Sequence, residues 1–120
     1  MIIHGREVKF FRSVEANCKI LQLAPGGSIE RFNTEILGSD DYEKSQRACA
    51  TMMAIMSEAA ELAAHYADPE YMMNPLTPAE AMSLSSEEFS KAFTEALIAW
   101  SGEKPTVVAE PKKKDNPETE

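Results

Sequence analysis

No glycine or proline interrupts residues 41–67. Alanine, methionine, glutamate and leucine dominate that stretch, and all are strong helix formers. About 27 residues rising ~1.5 Å each make a rod of roughly 40 Å. A rod of that length in a chain of 120 residues needs other elements packed along it. Ser39, Asp40 and Asp41 open it, with acid placed to complement the helix dipole. Its apolar positions include Tyr42, Cys49, Met52, Met53, Met56, Ala59, Ala60, Ala63 and Tyr66, and Ile55 and Leu62 widen the stripe beyond a single seam.

The elements around the rod follow from local signals. Residues 1–11 read as a β-hairpin: Ile2, Ile3, Val8, Phe10 and Phe11 are β-formers, His4, Gly5 and Arg6 make the turn, and Glu7 and Lys9 alternate with the apolar positions. Ser13 caps a helix with Val14, Cys18 and Leu21, then Ile20 and Leu23, on its apolar face. Pro25, Gly26 and Gly27 end it. Ser28 starts a shorter helix with Ile29, Phe32, Ile36 and Leu37 on one face, and Gly38 stops it. Beyond the rod, Asp68 and Pro69 break the helix. Thr77, Pro78 and Glu80 spell an N-cap, an N1 proline and a capping-box acid. A last helix starts at Ser85 or Ser86, buries Phe89, Phe93, Ala96, Leu97 and Trp100, and ends at Gly102.

The expected architecture is mainly α: an N-terminal hairpin packed on four to five helices, with the long one central. Residues 1–102 form the single domain, with Phe10, Leu21, Phe32, Ile55, Leu62, Phe89, Phe93 and Trp100 in its core. Residues 103–120 hold only Val107, Val108 and Ala109 as apolar groups among prolines and charges, and read as a flexible tail.

The net charge of −8 opposes a phosphate backbone, so nucleic acid is not an expected partner. No apolar run approaches the length of a membrane span. The opening residues lack a basic stretch followed by an apolar one and do not read as a secretory signal. Cys18 and Cys49 have no zinc spacing and are expected to pack as small hydrophobes rather than to pair, which makes the cytoplasm the default compartment.

A search for catalytic signatures finds no phosphate loop, dinucleotide fingerprint, nucleophile elbow or zinc-protease motif. The Pro25-Gly26-Gly27-Ser28 run could cradle an anion, but a helix–helix turn explains its glycines and Glu30 would oppose the charge. Glu61 and His65 stand one helical turn apart, half of a metal site at best, and a small enzyme would need His4 to converge on them. No metal and no cofactor is expected. Two features point to binding instead. Met52, Met56, Met72 and Met73 either fill the core or line an adaptable groove for a partner segment. Ala59, Ala60, Ala63, Ala64 and Ala67 permit close helix approach, within the domain or across a dimer.

The order of parts resembles a known family. Ile3-His4-Gly5-Arg6-Glu7-Val8-Lys9-Phe10 opens with a hairpin, a small helix holds Ser13-Val14-Glu15-Ala16, and a long helix follows. Leu76-Thr77-Pro78-Ala79-Glu80 precedes the amphipathic helix at 89–100, and a Pro/Lys/Glu tail ends the chain. This layout is similar to the tail assembly chaperones of long-tailed bacteriophages and prophages. The resemblance implies a non-enzymatic protein of the host bacterial cytoplasm that binds the tape measure protein, or another tail protein, and keeps it soluble until the tail tube forms. It also implies a longer product made by ribosomal frameshifting, with which the Lys112, Lys113 and Lys114 run is compatible. The alternative is a small structural or adaptor subunit that forms a homo-oligomer through the long helix.

Overall fold

The computed structural model describes residues 1–102, and the tail at 103–120 lies outside the described residues. Two short strands, β1 (Ile2–Ile3) and β2 (Arg6–Glu7), pair antiparallel with Ile3 opposite Arg6. His4 and Gly5 alone form the turn, with φ of 50° and 80°. Two successive positive φ values are what a tight type I′ hairpin turn needs. Arg6 therefore stands in a strand rather than in the turn. Strand pairing stops at Glu7, short of the expected Phe11. The Val8 N–H turns back to the Met1 carbonyl at 2.7 Å, and the Phe11 N–H donates to the Met56 carbonyl at 3.1 Å, so the chain leaves the hairpin to cross the long helix.

Helix α1 (Val14–Leu21) is capped by Ser13, whose Oγ accepts from the Ala16 N–H at 3.0 Å. Its buried residues are Ala16 and Ile20, while Val14 and Cys18 are exposed, contrary to the sequence reading. At ~100° per residue, positions 14 and 18 lie roughly opposite 16 and 20. The tertiary neighbour selected the face with the small Ala16, which lets α1 lie close to the long helix. Pro25–Gly27 makes a 3₁₀ turn, and Gly26 and Gly27 take φ of 67° and 69°. Helix α2 (Ile29–Arg31), capped by Ser28, runs directly into a π-helical turn at Phe32–Leu37. Gly38 ends it where a Cβ would stand 2.9 Å from the Thr34 carbonyl oxygen.

Helix α3 (Tyr42–Ala67) spans 26 residues, starts at the Asp41 cap and carries the rest of the domain. Helices α1, α4 (Pro78–Met82) and α5 (Ser86–Ser101) and the 32–37 turn all contact it. Its buried set comprises Cys49, Ala50, Met52, Met53, Ala54 and Met56 with the polar Ser45, Ser57 and Glu61. Helix α5 begins with a reciprocal capping box between Ser85 and Glu88 and ends at Gly102, left-handed at φ 78°. The Phe32 and Trp100 rings meet at 5.7 Å in the core, and Phe10, Leu21, Ile55, Phe89 and Phe93 pack around it partly buried. Leu62 departs from the expected core and lines an open groove. Among the described residues, no helix is long and apolar enough to cross a membrane.

Candidate functional site

The four methionines expected to share a surface do not do so. Met52 and Met56 are fully buried at 0% exposure, so the structure corrects their assignment from partner contacts to core. They sit on the α3 face that meets the other helices, and that covered face leaves them no route to a partner. Met73 at 37% and Met72 at 86% remain open on the connector between α3 and α4.

An apolar groove lies elsewhere, between α1 and α3. Ala16 and Lys19 of α1 face Ile55, Ala59, Leu62, Ala63 and Tyr66 of α3 across about 520 Å³, with Phe11 on the edge. The volume falls within the range of specific binding clefts. Tyr66 is 77% exposed and Phe11 is 48% exposed. The small Ala59 and Ala63 leave the trough between the larger side chains. Ile55 to Tyr66 covers about three helical turns, a rise of roughly 16 Å. Glu15 and Glu58 flank the groove, with the Lys19 ammonium between them at 4.0 Å and 3.2 Å.

The opposite side of α3 is closed by polar stitching. Ser57 and Glu61, one turn apart, receive the backbone of the connector. The Leu76 N–H donates to Ser57 Oγ at 2.9 Å, and the Asn74 N–H donates to Glu61 Oε1 at 2.8 Å. The Tyr71 hydroxyl donates to both Glu61 oxygens at 2.9 and 3.0 Å, and this bond pushes the phenol's pKa up. Buried polar groups without such partners would cost free energy, so the connector and these two side chains satisfy each other.

The hairpin locks the far end of the same connector. Arg6 donates to both carboxylate oxygens of Glu80 at 2.6 and 2.7 Å and to the Asn74 and Pro75 carbonyls. His4 Nδ1 lies 2.9 Å from Glu80 Oε2. The Arg6 guanidinium is the main reason that the Glu80 carboxyl drops to about 2, with His4 adding to it. His4 therefore belongs to the Glu80 cluster, whereas His65 Nδ1 faces the Tyr71 carbonyl at 3.1 Å and Glu61 holds Tyr71 and Asn74. These contacts tie the backbone together. Among the described residues no group of three or more His, Cys, Asp or Glu side chains could hold a metal ion.

A second cleft of about 510 Å³ runs between α3 and α5, with Tyr42, Cys49, Phe89 and Phe93 among its walls. Burial pushes the Cys49 thiol up to about 11, which leaves it protonated and unreactive. Cys18 and Cys49 are both free.

Sequence reasoning placed Phe11 in a strand and Leu62 in the core, and it missed Arg6 and Ser57 as anchors. Ser57 does carry a signal: it stands one turn before Glu61, next to the apolar run Met52–Met56 of α3. No protein-family model, curated protein or solved structure matches this chain.

Proposed function

We propose that this chain is a non-enzymatic phage tail assembly chaperone, which binds and solubilises the tape measure protein during tail morphogenesis. The open groove along the last turns of α3 carries the reading. An amphipathic helix inserts side chains spaced i, i+3/i+4 and i+7 into such a trough. Three turns of α3 match that repeat. Tyr66 and Phe11 provide large apolar contacts at the two ends, and Ala59 and Ala63 admit the partner between them. The net charge of −8 keeps a coated complex dispersed through mutual repulsion. The site of action is then the host bacterial cytoplasm.

The same face favours a second reading. Ala59 and Ala63 allow close approach of another α3, as an adaptor that assembles through its long helix would require. Co-expression with a phage tape measure protein separates the two. The chaperone reading expects the large protein to stay soluble with this chain and to aggregate with the folded Leu62→Asp variant. Equal solubility in the absence of this chain contradicts it.

A further inference from the structure

We infer that the α1–α3 groove selects a basic amphipathic helix, an apolar seam with lysine or arginine toward both of its ends. The inference rests on the reading that a polypeptide segment enters this groove, and it names the chemistry of that segment.

The floor of the groove selects a helix. Ile55, Ala59, Leu62 and Tyr66 stand at i, i+4, i+7 and i+11 and all line the groove. That is the spacing of a coiled-coil seam. Side chains along such a seam follow one another at about 5 Å. A second helix presents knobs at the same interval. An extended strand brings a side chain to one face only every ~6.8 Å and falls out of step within a few residues. The small Ala59 leaves the hole between Ile55 and Leu62 that a knob from the partner fills.

The walls select the charge. Glu15 on α1 and Glu58 on α3 line the groove and are exposed. The Lys19 ammonium lies 4.0 Å from the first and 3.2 Å from the second. Two carboxylates about one ammonium leave a negative charge in excess. Tyr66 stands in the last turn of α3, where the final carbonyls form the negative end of the helix dipole. The exposed Asp68 follows as the C-cap. The groove is therefore apolar along its floor and negative toward both ends. From Glu58 to Asp68 the chain rises about 15 Å, so a helix laid along α3 meets these charges with cations about ten residues apart. The net charge of −8 draws such a segment in and repels an acidic one.

The test titrates the isotope-labelled full chain with three synthetic helical peptides. One has leucine at i, i+4, i+7 and i+11 with lysines flanking the seam. The second keeps the leucines and has glutamates in place of the lysines. The third keeps the lysines and has serine in place of each leucine. The proposal expects the lysine–leucine peptide to shift Phe11, Ala59, Leu62, Ala63 and Tyr66 and to bind about ten-fold more tightly than the glutamate peptide at low salt. That preference should shrink at about 1 M salt, where the screening length falls to about 3 Å. It should also shrink in the Glu15→Gln/Glu58→Gln variant, whose exposed substitutions leave the fold intact. Equal affinity for the lysine and glutamate peptides overturns the proposal and leaves a charge-indifferent helix groove standing. Equal affinity for the serine peptide also overturns it, because the attraction is then to the acidic surface at large. Binding by none of the three overturns the groove reading together with it.

Discussion

Met56 and Met72 are chemically identical, yet the fold gives them opposite weight. Met56 has no exposed surface and lies where the Phe11 segment crosses α3. Truncation to alanine deletes everything beyond Cβ and leaves a cavity among close-packed neighbours, at a cost of about 2–5 kcal/mol. Domains of this size are stabilised by only about 5–15 kcal/mol in total. At ~4 °C or more per kcal/mol, Met56→Ala lowers Tm by at least about 8 °C. Met72 is 86% exposed, and its truncation stays within about 0.5 kcal/mol of the parent. Urea unfolding reads the difference through the single tryptophan, Trp100, buried against Phe32. The midpoint should fall for Met56→Ala with the slope unchanged. A Met56→Ala variant as stable as the parent, or a Met72→Ala variant equally weakened, would refute the division into core and surface methionines.

Acid should release the hairpin clamp. Glu80 is depressed from 4.5 to about 2, so its contribution is complete above pH 4.5 and is lost as the pH falls toward 2. A shift of that size corresponds to about 3 kcal/mol at most, and partial solvation of the pair reduces it toward about 1 kcal/mol. Stability measured against pH should therefore fall less steeply in that window for Glu80→Gln than for the parent. Glu61→Ala removes the carboxylate that accepts from the half-buried Asn74 N–H and from the Tyr71 hydroxyl, costs about 1–3 kcal/mol, and should speed hydrogen exchange at Asn74 while the α5 amides stay protected. A thiol reagent should label the exposed Cys18 rapidly in the folded protein and reach Cys49 only as fast as the chain opens. Equal labelling of the two would contradict the burial of Cys49.

The helix boundaries were legible because caps are local. Ser13, Ser28, Asp41, Thr77 and Ser85 each accept the N–H that their position predicts. Which helix face is covered was less legible. Val14 and Cys18 satisfy the helical repeat as well as Ala16 and Ile20 do, and only the approach of α3 decides between them. Met52 and Leu62 belong to one broad stripe on α3, yet Met52 is fully buried and Leu62 lines the groove. Which part of the stripe is covered depends on how α1 lies against α3, a tertiary approach that no residue pattern encodes. The Ser57 and Glu61 seam was hidden for a related reason: the Asn74 and Leu76 N–H groups carry no side-chain signal, and only the path of the connector brings the Tyr71 hydroxyl to Glu61.

The most direct measurement adds a helical segment of the tape measure protein to the isotope-labelled full chain and follows each resonance. Polypeptide capture in the α1–α3 groove predicts saturable shifts at Phe11, Ala59, Leu62, Ala63 and Tyr66, with Met52 and Met53 unmoved. Absence of binding, or shifts that map to the Cys49 cleft or the Glu80 clamp instead, would contradict it.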